Sequence, residues 1–186
     1  MINQRQIIKD CLKGDIMAQR KLYESFAGSM MGICYRYTKS VQDAEDVLQE
    51  GFMKVFTHLN QYREDGELGG WIRRIMVNTS ISYLKKNIHY RNDMVFTEPA
   101  LHPVQEETPE ITLQAKEISS LIRQLPTGYQ TVFNLHAIEG YSHVEIGKLL
   151  GISDNTSRSQ YMRARNILCD WIKKWDDNIK SENYAR

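Results

Sequence analysis

Cysteine is sparse in this chain, with three residues in 186, Cys11, Cys34 and Cys169. An odd, widely spaced set forms no Cys-x-x-Cys pair and no zinc spacing with the five histidines, which excludes a disulfide scaffold and a zinc finger. Reduced thiols are expected, with Cys34 packing as a small hydrophobe. Long apolar runs are missing too. No stretch approaches the roughly 20 apolar residues that span a bilayer, and the N-terminal decapeptide lacks the apolar core of a secretory signal. A cytoplasmic protein is expected. Strand alternation with hairpin turns is absent, which argues against a sheet. Nor is one sign of charge in excess: 24 basic residues face 23 acidic ones, for a net charge of +1. No nucleophile–base pair and no phosphate-cradling glycine loop is found, so the chain is read as a non-enzyme that needs no cofactor.

What is present is segregated. No acidic residue falls between Trp71 and Asn92, a span holding Arg73, Arg74, Lys85, Lys86 and Arg91. No lysine or arginine falls between Asn92 and Ala115, where Asp93, Glu98, Glu106, Glu107 and Glu110 lie. Local basic faces, not the sum, set attraction for phosphate. Apolar periodicity is helical nearly throughout. Leu22, Phe26, Met30, Ile33 and Tyr37 make one stripe, and Ala44, Leu48, Phe52, Val55 and Leu59 make a second. A third helix is expected from about Gly70 to Lys86. Three of the four prolines then fall between Thr97 and Glu110, which marks a linker. The expected fold is all-α: two small helical domains joined by an acidic, proline-containing linker. The domains are placed at 1–92 and 111–178, the linker at 93–110 and a polar tail at 179–186.

Three segments carry chemistry. From Gly140 to Arg165 the pattern is a short helix, a glycine turn and a second helix without acidic residues from Asn155 to Cys169. Ser142 and Glu145 have capping-box spacing, Gly151 supplies a turn with positive φ, and Ser153 caps the next helix. This is helix-turn-helix geometry, with a helix able to enter the major groove. A helical hairpin with a solvated basic face is the plainer alternative. The second segment is Asp43-Ala-Glu-Asp-Val-Leu-Gln-Glu50, where Asp43, Asp46 and Glu50 fall at i, i+3 and i+7 with Gln49 beside them. A solvated face, a carboxylate metal site and a docking surface for a basic partner all fit that spacing, although the Glu-x-x-His element of helical-bundle metal sites is missing. The third runs from Tyr62 to Lys86, a glycine-containing loop and a basic helix opened by Trp71. Cations beside a pocket for an unstacked base suit single-stranded DNA, while Trp71 and Tyr83 also fit a plain core role.

With these motifs in hand, the chain resembles the extracytoplasmic-function sigma factors, small members of the bacterial sigma-70 family. The resemblance rests on Asp43 to Phe52 followed by Trp71-Ile-Arg-Arg-Ile-Met-Val-Asn78. It rests equally on Leu125 to Phe133 followed by Glu139 to Ser153 and Arg163-Ala-Arg165. It implies that Asp43, Asp46, Gln49 and Glu50 bind the clamp helices of the core RNA polymerase large subunit. Tyr62, Arg63, Trp71, Arg73, Arg74, Asn78, Lys85 and Lys86 would hold the melted strand of the minus-ten promoter element. Asn155, Thr156, Arg158, Ser159, Gln160, Arg163 and Arg165 would read the minus-thirty-five duplex. An anti-sigma factor, membrane-anchored in many relatives, is a further implied partner, and direct membrane insertion is not. The chain departs from the family at Ser157, where an aliphatic residue is usual, and at Gln160, where arginine or lysine is common; Ser157 implies a looser joint. The alternative function is a stand-alone helix-turn-helix regulator with an N-terminal sensing or dimerisation domain.

Overall fold

A computed structural model describes the backbone of residues 4–63, 66–87 and 113–184, and the side chains of 4–63, 66–86 and 118–174. Among these residues every regular element is helical. The linker expected at 93–110, the side chain of Trp175 and the last two residues of the expected tail lie outside the described residues. The chain divides into two units, 1–88 and 89–186, each with its own core.

The first unit contains α1 (Gln4–Leu12), α2 (Ile16–Tyr37), α3 (Val41–His58), a 3-10 turn (Leu59–Gln61) and α4 (Leu68–Asn87). Local chemistry sets the starts. Asp15 caps α2 by accepting from the Met17 N–H at 2.8 Å and the Ala18 N–H at 3.3 Å. Ser40 caps α3 by accepting from the Asp43 N–H at 3.0 Å. The predicted α3 stripe is buried at every position: Ala44, Leu48, Phe52, Val55 and Leu59. On α2 Leu22, Met30, Ile33 and Tyr37 are buried, and Phe26 is half-buried. On α4 the apolar face is Ile72, Met76, Val77, Ile81 and Leu84. Helices α2, α3 and α4 pack on one another, so α3 and α4 are held side by side. That adjacency positions the first candidate site.

The second unit contains α5 (Leu113–Gln124), α6 (Thr127–Phe133), a π-helical turn (Asn134–Ile138), α7 (His143–Leu150) and α8 (Asp154–Tyr184). Ile122, Leu125, Ala164 and Leu168 form its centre, with Leu121, Tyr129, Phe133, Ile167 and Trp171 packed around them. Pro126 is the N-cap of α6, where a missing N–H does no harm. Helix α8 continues to Tyr184, so most of the segment expected to be a polar tail is helical.

Candidate functional site

The acidic segment lies on α3, and its four predicted residues do not behave alike. Asp46 and Gln49 are exposed, whereas Asp43 and Glu50 are half-buried. The Tyr83 hydroxyl hydrogen-bonds Asp43 and, with the Ser40 cap, holds its carboxyl below the ordinary 3.8. Lys54 donates to Glu50 Oε1 at 2.6 Å and to Thr79 Oγ1 of α4 at 3.2 Å. That bond, aided by the charges of Lys54 and Lys86 and opposed by partial burial, lowers the Glu50 carboxyl from its usual 4.5. The solvent-directed ridge expected from spacing is therefore split. Asp46 and Gln49 face outward, while Asp43 and Glu50 bond into the groups that join α3 to α4. Lys54 and the Tyr83 hydroxyl were not singled out by sequence reasoning. The Glu50–Lys54 spacing of four was the available signal for one of them. Met53, one turn beyond Gln49, is 70% exposed and adds an apolar element to the ridge.

The loop before α4 is closed by its own side chains. The Tyr62 hydroxyl donates to the Gly66 carbonyl, and the Tyr62 and Trp71 rings lie 5.6 Å apart at 50°. Trp71 is half-buried, so neither a fully buried core role nor a free aromatic describes it. Arg63, Arg74, Asn78, Lys85 and Lys86 are exposed, and Arg73 is half-buried. Helix α4 starts at Leu68, earlier than periodicity indicates, and takes Gly69 and Gly70 into its first turn. A Cβ on Gly69 would stand 3.2 Å from the Phe26 ring, which brings this turn close to α2.

The helix-turn-helix is built as the sequence predicts. Ser142 Oγ accepts from the Glu145 N–H at 3.3 Å, and the Ser142 N–H donates to Glu145 Oε2 at 2.8 Å, completing the capping box. Gly151 takes φ 73°, where its N–H reaches the Gly147 carbonyl at 2.8 Å. A Cβ on Gly147 would lie 2.8 Å from the Ile152 carbonyl oxygen, so the turn closes only over glycine. Ser153 then accepts from the Thr156 N–H at 3.0 Å and starts α8. Asn155, Thr156, Arg158, Ser159, Arg163 and Arg165 are exposed. Arg158 Nη2 lies 3.6 Å from Asp154 Oδ2, and Arg163 Nη1 donates to the Tyr129 hydroxyl at 3.3 Å.

Two expectations change here. Gln160 is 4% exposed, so its side chain belongs to the interior and is removed from the duplex-reading set. Its position on α8 turns inward with Ser157 and Ala164, at spacings of three and four. Ser157 itself is fully buried and bonded to His143 Nδ1 at 2.9 Å, so a polar tie occupies the joint that was expected to be looser.

A helical unit with an acidic ridge beside a basic helix, followed by a unit ending in a helix-turn-helix, is the layout of a promoter-reading transcription factor. Comparison with known proteins defines the class further. Residues 22–88 match the family model for Sigma-70 region 2, and residues 115–168 match Sigma-70, region 4. The chain is 29% identical over 179 residues to the ECF RNA polymerase sigma factor SigW of Bacillus subtilis, covering 90% of this chain and 95% of the relative. It is 29% identical over 175 residues to the RNA polymerase sigma-H factor of Pseudomonas aeruginosa, covering 88% and 91%. Its fold is similar to CnrH, solved with the cytosolic domain of CnrY, at TM-score 0.50 and 20% identity over 91% of this chain and 97% of the other. The sigma factor RpoE of Bartonella quintana, solved with the anti-sigma factor NepR, also matches at TM-score 0.50 and 22% identity, over 83% and 96%. The chain belongs to the extracytoplasmic-function sigma factors of the sigma-70 family. Its function is that of an alternative sigma factor, acting in transcription initiation with RNA polymerase at promoters.

Proposed function

We propose that the three faces divide the work of initiation. Asp46 and Gln49, with Asp43 and Glu50 behind them, dock on the clamp helices of the polymerase large subunit. The loop from Tyr62 and the exposed Arg63, Arg74, Asn78, Lys85 and Lys86 hold the melted minus-ten strand, with Arg73 at the edge and Trp71 beside the base. Asn155, Thr156, Arg158, Ser159, Arg163 and Arg165 meet the minus-thirty-five duplex through phosphates and base edges. The observation that carries this reading is that Asp46 and Gln49 are exposed on α3 while Arg74, Lys85 and Lys86 are exposed on α4 and Arg158, Arg163 and Arg165 on α8.

The chain works by binding, not by catalysis. Docking on polymerase makes the second DNA contact effectively intramolecular, so two weak contacts give selectivity together. Capture of unstacked bases offsets part of the cost of opening the duplex. On this reading the units at 1–92 and 111–178 are the working domains, joined through 93–110, in the cytoplasm where polymerase resides. An anti-sigma factor is proposed as the regulatory partner, since RpoE was solved bound to one. Among the described residues no helix is long and apolar enough to cross a membrane.

Run-off transcription tests the division of labour. Core polymerase with this chain should initiate at defined sites, and Asp46→Lys should abolish initiation while leaving the thermal midpoint unchanged. Full activity of Asp46→Lys would remove the docking assignment.

A further inference from the structure

The outward side of α8 is not uniformly polar. Ser157, Gln160, Ala164 and Leu168 form the buried stripe of this helix. At about 100° per residue, Met162 stands roughly 155° round from the middle of that stripe, close to the centre of the face turned to solvent. Asn155 and Asn166, at i−7 and i+4 from it, share that midline, and both are exposed. Arg158 and Arg165 fall about 40–60° to one side of Met162, and Arg163 about 100° to the other. Their contacts differ accordingly. Arg158 Nη2 lies 3.6 Å from Asp154 Oδ2 of α8 itself, whereas Arg163 Nη1 donates to the Tyr129 hydroxyl of α6 at 3.3 Å. Met162 is 49% exposed, and among the described residues from Asn155 to Arg165 it is the one exposed large apolar side chain. A lone apolar residue is ordinary on a protein surface. One on the midline of a helix with cations on both flanks stands where the floor of a groove would meet it.

We propose that Met162 is a specificity-determining residue of the duplex-reading helix, and that it reads the 5-methyl group of a thymine. The inference rests on the reading of α8 as the helix that meets the minus-thirty-five duplex. With such a helix in a major groove, cations on its two flanks face the two phosphate backbones and its midline faces base edges. Of the four bases, thymine alone presents a methyl group there; the other edges offer donors and acceptors. A thioether cannot donate a hydrogen bond and accepts only weakly. Set against a polar edge, Met162 would displace water and return little. Set against the thymine methyl, it buries apolar surface on both sides of the contact. Its unbranched chain, with three rotatable bonds, can follow the methyl without a shift of the backbone. The position therefore separates thymine from cytosine, which lacks that group.

The test uses the full chain on core polymerase, with promoter duplexes recovered from a run-off transcription library. Each thymine of the minus-thirty-five element, on either strand, is replaced singly by deoxyuridine, which lacks only the methyl group. At one thymine the replacement should weaken duplex capture by the wild-type chain about fourfold, the effect of one buried methyl group. Met162→Ala changes an exposed side chain, so the thermal midpoint should hold while the thymine and deoxyuridine forms of that site are captured alike. Met162→Leu keeps an apolar contact and should keep the difference. Arg158→Ala should weaken capture of both forms together and leave their ratio as it was. Equal capture of thymine and deoxyuridine at every position, an unchanged thymine preference in Met162→Ala, or recovered elements that hold no thymine would overturn the proposal. Where capture still falls with Arg158→Ala and Arg163→Ala, the reading of α8 stands and only the methyl contact is lost. Where capture ignores those arginines as well, the reading of α8 falls with it.

Discussion

The two units hold their charged groups differently. In the first, two of the four residues proposed for docking are tied into the α3–α4 contact: Asp43 to Tyr83, and Glu50 through Lys54 to Thr79. In the second, cations of α8 are exposed and hold only long contacts, 3.6 Å from Arg158 to Asp154 and 3.3 Å from Arg163 to Tyr129. Under the proposed division of labour, the difference follows from what each surface meets. A protein partner of fixed shape is served by groups already set in place, which lowers the ordering cost of association. Phosphates lie along a continuous backbone, so cations that exchange weak internal partners for DNA lose little on binding. Asp43 and Glu50 are held in place, and the exposed cations of α8 can exchange their partners.

The largest expected effect breaks the first half of that contrast. Asp46→Lys reverses charge at an exposed ridge position with no structural bond to lose, so affinity for core polymerase should fall at least about tenfold, or roughly 1.4 kcal/mol. A pull-down titration, read beside an unchanged thermal midpoint, checks it. Next comes the turn that places α8. Gly147→Ala puts a methyl group 2.8 Å from a backbone oxygen that has no flexible end to yield, and should cost about 1–3 kcal/mol in a denaturant titration. A cost near zero would show that the turn is not closed as described.

Arg163→Ala addresses the second half of the contrast. The arginine exchanges the Tyr129 hydroxyl for phosphate, so the loss of duplex affinity should be a few-fold across sequences, with the salt slope reduced by about one. A loss confined to one base position would make Arg163 a base contact instead. The smallest effect belongs to Lys54→Met. The Lys54–Glu50 pair lies at the surface, so stability should change by no more than about 0.5 kcal/mol. Its pH dependence has a defined sign. Asp43 and Glu50 are both lowered, so their contribution is present above the ordinary carboxyl values and lost as pH falls through the folded ones. Lys54→Met should reduce the Glu50 part of that acid sensitivity, leaving the smaller Lys86 contribution and the Asp43 part.

Much of this was legible in the sequence because it depends on neighbours along the chain. The Ser142–Glu145 box, the Gly151 turn and the α3 stripe are set by spacing and backbone geometry alone, and each forms as predicted. The misses depend on rotation about a helix axis or on contacts between helices. Gln160 entered the duplex-reading set through the family resemblance, but the inward face of α8 is fixed by packing on the other helices of its unit. The Tyr83–Asp43 bond joins residues forty positions apart, and no periodicity reports it. The π-helical turn at Asn134–Ile138 leaves no mark in the apolar pattern, yet it sets His136 against His143. The Ser157–His143 tie likewise became visible only once both helices were placed.

The central claim is that an outward acidic face on α3 recruits the polymerase on whose behalf α4 and α8 read DNA. Run-off transcription with purified core polymerase over a promoter library, comparing this chain with Asp46→Lys, tests it most directly. The account predicts defined transcripts with the wild-type chain and none with the variant. Defined transcripts from both, or duplex binding by the free chain with no transcripts from either, would contradict it.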